Sequence, residues 1–416
     1  MKDKYFLPQT IGKCLGCESE LPSAFLDLGE MPLANSYVDP KNKDREETAY
    51  RLAVAYCPKC HLVQLTHRVA PEDLFNNYLY FSSFSDAFLK HAKDMVASLT
   101  SQFALDDSSL VVEIGSNDGY LLQFFKQRGI PVLGIEPAKN IAKVANESGI
   151  PTMDVFFGPD SVAQIIKARG QADIIIGNNV LAHVPLINDF LLSVNKCLKA
   201  TGSAVFEFPY LKDLVDHTEF DTIYHEHVFY YSLSAIRILA ERAGLELYGV
   251  SKQDIHGGSL RVFLQRERQH EVSGNVGKML LEEEQCGITD KDLYSNFGEK
   301  VEKLKAKLVG LLQELKQAGK TIAAYGAAAK GNTLLNYIGI DNNVIDFVVD
   351  RSPHKQGFLL PRTRIPILPT HELLKRMPDY TIVLAWNFAE EILAQQAEYR
   401  GRGGKFIIPI PEIQVI

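Results

Sequence analysis

A glycine-rich turn that directly follows an apolar run places the strongest constraint on the fold of this 416-residue chain. The turn reads E-I-G-S-N-D-G at residues 113–119, and the apolar run occupies residues 110–112. Gly115 and Gly119 allow the backbone to turn sharply and to approach a ligand closely. The acidic Glu136 follows about twenty residues later, where it can accept hydrogen bonds from ribose hydroxyls. This order predicts strand, turn, helix and strand around a nucleoside-bearing cofactor.

The residues inside this turn favour S-adenosylmethionine over a dinucleotide, and over an ordinary turn without a ligand. A dinucleotide fingerprint needs the spacing G-x-G-x-x-G, so that a pyrophosphate can rest on backbone amides at a helix start. This turn reads E-x-G-x-x-x-G and contains Asp118, which would repel a pyrophosphate. We expect Glu113 and Asp118 near the sulfonium and the methionyl amine, and residues 154–157 over the adenine. The predicted cofactor contacts are Glu113, Gly115, Asp118, Gly119, Glu136, Asp154, Phe156 and Asn178.

Cysteine spacing provides a second signal, because two C-x-x-C pairs lie in the first sixty residues. Two such pairs can converge tetrahedrally on one Zn²⁺ ion, and a reducing compartment favours metal over disulfides. An all-cysteine ligand set leaves no open coordination position, so the predicted zinc site is structural rather than catalytic. Free or redox-active thiols are the alternative. The predicted ligands are Cys14, Cys17, Cys57 and Cys60.

Composition limits the organisation and the partners of the chain. A single core stops growing at about 250 to 300 residues, so 416 residues predict two or three domains. Apolar residues make up 46%, but no apolar run approaches the about 18 residues of a membrane helix, and the N-terminus lacks a secretory apolar region. A net charge of -7 without a dense basic block argues against nucleic acid. We expect a cytoplasmic monomer that binds neither nucleic acid nor membrane.

The pattern of elements predicts an α/β protein in three parts. Residues 1–75 form a zinc-binding module, residues 76–268 an S-adenosylmethionine-binding domain with a mostly parallel, doubly wound sheet, and residues 269–416 a helical linker and a smaller Rossmann-like α/β domain. Long exposed helices are expected over 269–318. The predicted strands of the two larger domains are 110–114, 132–136, 172–176, 204–208, 245–250, 259–264, 321–325, 344–349 and 380–384.

A second glycine turn at residues 325–331 is a candidate for phosphate contact. Its backbone amides, with Lys330 beside them, can receive a phosphate at a helix start. The turn lacks the spacing G-x-x-x-x-G-K-[ST], and plain helix packing is the alternative. Residues 350–356 and 386–387 also fall where strand ends open onto a crevice. The predicted substrate contacts are Tyr325, Lys330, Asn332, Asp350 and Asn387.

The stretch of residues 224–232 carries two histidines, a carboxylate and several phenols, which makes it more polar than a core strand or helix would be. Its H-E-H sequence lacks the i, i+4 histidine pair of a zincin helix, so general acid–base work is favoured over metal binding. His183 follows the strand predicted at 172–176 and is expected to face the same cleft. A purely structural histidine is the alternative there.

Taken together, these residues resemble the sugar C-methyltransferases that act on nucleotide-linked 4-keto-6-deoxyhexoses, typified by the C-3 methyltransferase of tetronitrose biosynthesis. The resemblance covers essentially the whole chain. It implies a zinc module, a central class I methyltransferase domain, and a C-terminal Rossmann-like domain that helps to hold the nucleotide sugar. The motifs that carry it are the four cysteines, 113–119, Glu226-His227, Tyr231-Ser232, 256–261, 325–330 and 385–387.

The resemblance also implies roles for individual residues. His227 corresponds to the family's proposed general base, and the other residues named below correspond to its neighbours in the cleft. No role is carried over to His225. The implied catalytic residues are His227, Glu226, Tyr224, His183 and Tyr78.

The mechanism expected from this resemblance depends on carbon acidity. A C-4 ketone makes the C-3 proton acidic because the carbanion delocalises as an enolate, so a base at C-3 and donors at the C-4 oxygen are required. His227 would remove the proton, and His183 or a tyrosine hydroxyl would stabilise the oxyanion. Methylation of nitrogen or oxygen on a sugar or another small metabolite needs no ketone and is the first alternative. A non-catalytic binding role is the second.

Overall fold

The computed structural model describes residues 9–70, 83, 86–255, 257–266 and 268–416. Its strands form a two-stranded, a four-stranded, a seven-stranded and a six-stranded sheet within these ranges. None of the helices in this part of the chain is both long enough and apolar enough to cross a membrane. The helices are α1 (Asp86–Gln102), α2 (Leu122–Lys126), α3 (Lys139–Glu147), α4 (Pro159–Arg169), α5 (Ile187–Cys197), α6 (Leu211–Asp216), α7 (Leu233–Arg242), α8 (Gly274–Gln285), α9 (Lys291–Gln317), α10 (Ala329–Ile338), α11 (His371–Arg376), α12 (Ala389–Gln395) and α13 (Ala397–Gly401).

The N-terminal module is built on short antiparallel strands. They are β1 (Gln9–Thr10), β2 (Leu26–Met31), β3 (Tyr50–Tyr56), β4 (Val63–Leu65) and β5 (His67–Arg68). The four-stranded sheet is completed by β11 (Phe229–Tyr230), which pairs with β4 although it comes from the middle of the chain. Because β11 follows the polar stretch at residues 224–228 directly, this pairing holds that stretch against the N-terminal module.

The middle domain contains the seven-stranded sheet, in the order β12-β13-β10-β9-β6-β7-β8. The strands from β10 to β8 in this order are parallel, and β13 and β12 continue the sheet in antiparallel pairs. Their apolar runs match a sheet that is covered on both faces. Their bounds are β6 (Val111–Ile114), β7 (Val132–Ile135), β8 (Thr152–Met153), β9 (Ala172–Asn178), β10 (Leu198–Pro209), β12 (Glu246–Gln253) and β13 (Ser259–Gln265).

The two faces of this sheet enter different cores. Ile174 and Ile176 of β9 pack with residues of α1. Ile175, on the opposite face of the same strand, joins the cluster that includes α5 and α7. In the sheet, β6 lies between β7 and β9. The chain runs from β6 to β7 and β8 on one side and then returns to the other side of β6 with β9. The strand order therefore reverses between β6 and β9. The carboxyl ends of strands at such a switch point form the crevice in which α/β proteins bind ligands.

The C-terminal domain contains the six-stranded sheet, in the order β16-β15-β14-β17-β18-β19, with β19 antiparallel to its neighbour. Its strands are β14 (Ile322–Tyr325), β15 (Val348–Asp350), β16 (Ile367–Pro369), β17 (Tyr380–Val383), β18 (Lys405–Ile408) and β19 (Gln414–Val415). The order confirms a second, smaller α/β unit. The predicted domain limits of 1–75, 76–268 and 269–416 stay predictions.

The helices predicted over 269–318 are present as α8 and α9, but the expectation that they are simply exposed is wrong for α9. One face of α9 enters the core that continues into the C-terminal sheet. Apolar residues recur there every three or four positions, which aligns them along one side of a helix. The buried residues of α9 are Tyr294, Phe297, Val301, Leu304, Leu308 and Leu312.

The strands predicted from apolar runs are confirmed in the middle domain, with ends shifted by a few residues. The prediction for 344–349 is displaced, because the strand there is β15, at Val348–Asp350. Five short strands in the predicted ranges of the two larger domains were not predicted: β8, β11, β16, β18 and β19. Strands of two to four residues carry too few positions for an alternating or apolar pattern to stand out from neighbouring loops.

Candidate active site

The turn after β6 requires glycine at two positions. Gly115 has φ +64°, and a Cβ there would lie 2.7 Å from Cγ2 of Val180. Gly119 has φ +82°, and its Cβ would lie 2.8 Å from Cγ1 of Ile150. A side chain at either position would be strained and would overlap its neighbour. The close packing confines the backbone to the tight path that the sequence predicted.

Buried acceptors surround this turn. Among the described residues, Oε2 of Glu113, Oδ1 of Asp118 and Oδ1 of Asn178 are buried atoms with no hydrogen-bond partner. Burial raises the pKa of Glu113 well above its ordinary value, and the nearby charges of Asp118 and Glu136 act in the same direction. A buried acceptor without a donor costs about 1 to 3 kcal/mol. These groups therefore favour a ligand that brings positive charge and hydrogen-bond donors.

Glu136 follows β7 and is held by two backbone donors. Its Oε2 accepts from the Asn117 amide at 3.1 Å, and its Oε1 accepts from the Ala138 amide at 2.8 Å. Burial raises the pKa of Glu136, and these two hydrogen bonds oppose the shift. The carboxyl group is thus fixed between the glycine turn and the start of α3. Its contact with ribose stays a prediction.

Two of the four residues predicted to close over adenine lie at the surface. Phe156 is 65% exposed, and Asp154 is also exposed. Phe157 packs instead against Phe190 of α5, with ring centroids 5.3 Å apart. The exposed ring of Phe156 leaves an apolar face free for contact with a ligand, and adenine as that ligand stays a prediction.

This edge of the sheet fits S-adenosylmethionine both in its hydrogen-bonding groups and in the room that it leaves for a ligand. Glu113 and Asp118 offer unpartnered oxygens to an amine, and Glu136 offers a fixed carboxyl to hydroxyls. The glycines keep side chains out of the approach to the backbone. When bound there, the cofactor supplies an electrophilic methyl group.

Two distant histidines meet beside this edge. His183 ends the 3₁₀ turn Leu181–His183 that follows β9, and its ring lies 4.8 Å from the ring of His227, centroid to centroid, in an edge-to-face arrangement. The segments are joined by their backbones, because the Val228 amide donates to Ala182 O at 2.7 Å. The predicted pairing of His183 with the polar stretch in space is therefore observed.

The Tyr231-Ser232 motif explains part of this geometry. The Tyr231 hydroxyl donates to Leu181 O at 3.0 Å. Ser232 caps α7, because its hydroxyl accepts from the Ala235 amide at 3.1 Å. These residues hold the histidine-bearing segments together rather than presenting reactive groups.

Tyr224 lies directly against His227. Its hydroxyl is 2.8 Å from Nε2 of His227, and the two ring centroids are 4.1 Å apart. The His227 amide also donates to Tyr224 O at 2.9 Å. A phenol at this distance fixes the orientation and the tautomer of the imidazole, as a proton-transfer role requires.

His183 is neutral near pH 7. Burial lowers the pKa of His183 to about 4, although a hydrogen bond with the Glu226 backbone opposes the shift. A neutral imidazole carries one N–H, and the His183 ring donates it to the Glu226 backbone. The other ring nitrogen of His183 is therefore an acceptor.

Glu226 is buried, with 7% of its surface exposed, and its side chain is held by a residue of the N-terminal module. Asn35 Nδ2 donates to Oε1 of Glu226 at 2.7 Å. Burial raises the pKa of Glu226 to about 7, and the hydrogen bond from Asn35 opposes that shift. Sequence reasoning missed Asn35, because a single asparagine in a loop forms no motif with residues far along the chain.

One further predicted residue, Tyr78, and the unassigned His225 have different outcomes. Tyr78 lies outside the described residues, so its place in the cleft stays a prediction. His225, whose role was open, is buried and turned toward β3, with Nε2 3.1 Å from Tyr50 O. Its ring packs edge-on against Tyr50 at 5.9 Å. His225 thus joins the middle domain to the N-terminal sheet.

In the C-terminal domain, Lys330 faces an acidic pair of the middle domain. Its Nζ lies 4.1 Å from the ring centroid of Trp386, whose Nε1 donates to Oδ2 of Asp221 at 2.8 Å. Burial lowers the pKa of Lys330, while the charges of Asp221 and Glu219 oppose the shift. Phosphate contact at Lys330 stays a prediction, and the structure adds two carboxyl groups as partners of its charge.

The other predicted substrate residues lie in or near the glycine turn at residues 325–331. Asn332 is buried and donates to Ala34 O at 2.5 Å. Asp350 accepts from the Ala327 amide at 2.7 Å, so it fixes the turn that precedes α10. Tyr325 is buried at the end of β14, and Asn387 is half-buried in the turn after β17.

The four predicted zinc ligands form one buried cluster. Their sulfur atoms all lie within 4.8 Å of one another. The Sγ–Sγ distances are 3.5 Å for Cys14 and Cys60 and 3.5 Å for Cys17 and Cys57. Tetrahedral Zn–S bonds of about 2.3 Å require sulfurs about 3.8 Å apart, so the cluster fits a structural Zn²⁺ ion.

The strand order, the glycine turn and the acidic edge define a class I S-adenosylmethionine-dependent methyltransferase with an N-terminal zinc-binding module. Three family models match the chain accordingly. A zinc binding domain matches residues 14–75, a methyltransferase domain residues 88–250, and a C-methyltransferase C-terminal domain residues 254–411.

The chain is 37% identical over 407 residues to the C-methyltransferase NovU of Streptomyces niveus. The alignment covers 98% of this chain and 97% of that protein. The chain therefore belongs to this family of S-adenosylmethionine-dependent C-methyltransferases.

Solved structures resemble parts of the chain at low identity. Magnesium protoporphyrin IX methyltransferase from Synechocystis aligns with 43% of this chain and 83% of its own, at 15% identity and a TM-score of 0.34. An S-adenosylmethionine-dependent methyltransferase from Clostridium acetobutylicum aligns with 42% and 91%, at 10% identity and a TM-score of 0.35. The fold assignment rests on the strand order and the family models instead.

Proposed function

We propose that this C-methyltransferase acts at C-3 of a nucleotide-linked 4-keto-6-deoxy sugar, by removal of the C-3 proton to form an enolate. The observation that carries the proposal is the contact of the Tyr224 hydroxyl with His227, beside the neutral ring of His183. An imidazole base with a phenol beside it supplies the base and the hydrogen-bond donor that enolate formation requires.

In this proposal His227 removes the C-3 proton. Tyr224 orients its ring through the 2.8 Å contact at Nε2. The Tyr224 hydroxyl donates to the oxygen at C-4, where negative charge develops as the proton leaves. The Nε2–H of His227 then holds the phenol oxygen, and Nδ1 of His227 is the base. The neutral His183 ring, whose one N–H is donated to the Glu226 backbone, adds no positive charge beside this base. The remaining contribution of the protein is to orient the enolate carbon toward the bound methyl donor.

The nucleotide part of the substrate is assigned to the C-terminal domain. The turn before α10 lies against both other modules, because Asn332 contacts Ala34 and Lys330 faces Asp221. A ligand that lies along this turn could place its sugar near Glu226, since Asn35 follows Ala34 directly. The residues proposed for this part are Tyr325, Lys330, Asn332, Asp350 and Asn387.

Carbon is favoured over nitrogen or oxygen as the acceptor. The relative from Streptomyces niveus carries the name C-methyltransferase, and one family model carries the same description. A nitrogen or oxygen acceptor would need no base–donor pair at adjacent carbons. The pairing of His227 with the Tyr224 hydroxyl therefore supports a carbon acid as substrate.

The test is incubation with a nucleotide-linked 4-keto-6-deoxyhexose in D₂O, with and without S-adenosylmethionine. We expect deuterium at C-3 without the cofactor and a methyl group at C-3 with it, both read by NMR and mass spectrometry. The matched control is His227→Asn, which should lose the exchange. Cofactor binding without exchange or methylation at C-3 would reject the proposal.

A further inference from the structure

One loop of the zinc-binding module reaches both other domains. We call residues 33–38 the interdomain loop. Ala34 O accepts a hydrogen bond from Asn332 at 2.5 Å, and the Tyr37 hydroxyl donates to Ala327 O at 2.7 Å. Both partners belong to the C-terminal domain. The interdomain loop is therefore fixed against the turn before α10.

The zinc site supports this loop from its other side. The interdomain loop follows β2, which pairs with β3, and β3 ends immediately before Cys57. Val38 and Leu359 also exchange two backbone hydrogen bonds of 2.9 Å. The loop is thus held by β2 at one end and by the isolated bridge between Val38 and Leu359 at the other, which gives its side chains defined positions.

From this loop Asn35 reaches into the reaction centre. Its Nδ2 lies 2.7 Å from Oε1 of Glu226, and Glu226 is 7% exposed. The backbone of Glu226 also receives the hydrogen bond of the His183 ring, and the next residue is His227. The side-chain amide of Asn35, from the zinc-binding module, therefore contacts the residue that connects the His183 ring with His227.

We propose that Asn35 is a positioning residue of the methyltransferase centre. It holds the carboxyl group of Glu226 and thereby the Glu226 backbone, which the His183 ring contacts and which His227 directly follows. The inference rests on the proposed function for the roles of the two histidines. The contact itself does not depend on the substrate. In this view the zinc-binding module completes the reaction centre in addition to stabilising the chain.

The direction of the effect follows from the chemistry of the pair. An amide N–H donates more strongly to a carboxylate than to a carboxylic acid, so Asn35 favours the ionised form of Glu226. Among the described residues, the Tyr37 phenol also interacts with the charge of Glu226, and the His183 ring, whose pKa burial lowers to about 4, contacts the Glu226 backbone. Removal of the Asn35 amide should therefore raise the pKa of Glu226 above about 7.

The first experiment needs no substrate. Full-length protein labelled with ¹³C at glutamate carboxyl groups is titrated by NMR, and Glu226→Gln identifies the signal. Asn35→Ala should raise the titration midpoint of Glu226 by about one pH unit. Asn35→Asp keeps the side-chain volume and should raise it further, because a second carboxyl group faces Glu226.

The matched control is Tyr37→Phe, which removes a hydrogen bond of the same loop to Ala327 but leaves the amide on Glu226. Its midpoint should stay within about 0.3 pH units of the wild type, well below the one-unit effect. Equal midpoints in the wild type, Asn35→Ala and Asn35→Asp would overturn the inference. Equal shifts in Asn35→Ala and Tyr37→Phe would also overturn it, since the loop would then act only as a scaffold.

The second experiment measures turnover against pH in a double-mutant cycle. If Asn35 acts through Glu226, Asn35→Ala should shift the pH profile in the wild type and change kcat less than twofold in the Glu226→Gln background. An equal loss in both backgrounds would overturn the inference. The two proposals fail separately: absence of C-3 exchange in the wild type rejects the sugar chemistry, while the carboxyl titration still tests Asn35.

Discussion

The cofactor edge and the histidine centre differ in how they are assembled. The cofactor edge comes from neighbouring strands of one sheet, with Glu113 at the end of β6 and Asn178 at the end of β9. The histidine centre combines Asn35 of the zinc-binding module with His183 and His227 of the middle domain. It also lies beside a turn of the C-terminal domain, through the contact of Ala34 with Asn332.

This difference has a consequence for robustness. Parallel strand ends are held by the backbone ladder, so the cofactor edge depends on local geometry. The histidine centre depends on side-chain contacts between modules, such as the 2.7 Å hydrogen bond from Asn35 to Glu226. We expect distant changes to disturb the chemistry before they disturb cofactor binding, and the following experiments test that expectation.

The largest effect is expected at the histidine centre. His227→Asn should lower turnover by about two to four orders of magnitude, because the proposed base is lost. Calorimetry should show an S-adenosylmethionine affinity within about threefold of the wild type, which is below one kcal/mol. Tyr224→Phe, which removes only the hydroxyl, should cost about tenfold. Near-wild-type turnover of His227→Asn would remove this residue from the mechanism.

The zinc site should show whether the module matters to the chemistry from a distance. Cys14→Ser is expected to weaken zinc binding by about a hundredfold or more, since a metal ligand is replaced. Elemental analysis after dialysis against a chelator measures the loss, and turnover should fall while cofactor affinity is retained. Cys286→Ser, outside the cluster, should keep its zinc. A metal-free wild-type protein would contradict the zinc assignment.

The cofactor edge should respond to changes in its own turn. Gly119→Ala should lower the free energy of unfolding by about 2 to 3 kcal/mol, because it combines a left-handed backbone with overlap on Ile150. It should also weaken S-adenosylmethionine binding. The control is Gly129→Ala, at φ +77°, where no described atom lies within 4 Å of the added Cβ. Its loss should be about 1 kcal/mol, with unchanged cofactor affinity, by denaturant titration.

The smallest effect concerns the pH dependence of stability. The folded state raises the pKa of Glu226 to about 7 from its ordinary 4.5, so the unfolded state holds fewer protons at this group within that window. Stability from this group therefore falls as pH rises from about 4.5 to 7. Glu226→Gln removes the titration and should gain about 2 kcal/mol relative to the wild type between about pH 5.5 and 8.

The matched control for that measurement is Glu147→Gln, because Glu147 is an exposed carboxyl on α3. Its stability difference from the wild type should change little over the same range. A Glu226→Gln variant whose relative stability is independent of pH would show that the folded protein does not bury a proton-binding carboxyl there.

Much of the fold could be predicted from short stretches of sequence. The strands β6, β7 and β9 are apolar runs, which can be recognised without knowledge of their neighbours. The spacing of the glycines likewise predicts the tight turn after β6. Short strands such as β8 and β18 could not be predicted, because their pairing comes from neighbours across the sheet. The apolar face of α9 is visible in the sequence as a repeat of three or four residues, but the residues that cover it come from elsewhere in the chain and could not be predicted.

The candidate site divides in the same way. The motif at 224–232 identified the polar stretch, and the strand order suggested that His183 would face it. Nothing in the sequence linked Asn35 to Glu226 or Lys330 to Asp221, since both pairs join separate modules. The sequence likewise left His225 open, and its contact with Tyr50 depends on how β11 joins the N-terminal sheet.

The amino-acid sequence by itself determined the cysteine ligand set, the glycine turn and its acidic partners, because their chemistry depends on spacing within one segment. Tertiary structure decided which groups surround Glu226, the neutral state of His183 and the acidic surroundings of Lys330. The physical reason is that burial and hydrogen bonding between modules set the charge and orientation of these side chains. Those environments exist only after the three parts of the chain have packed together.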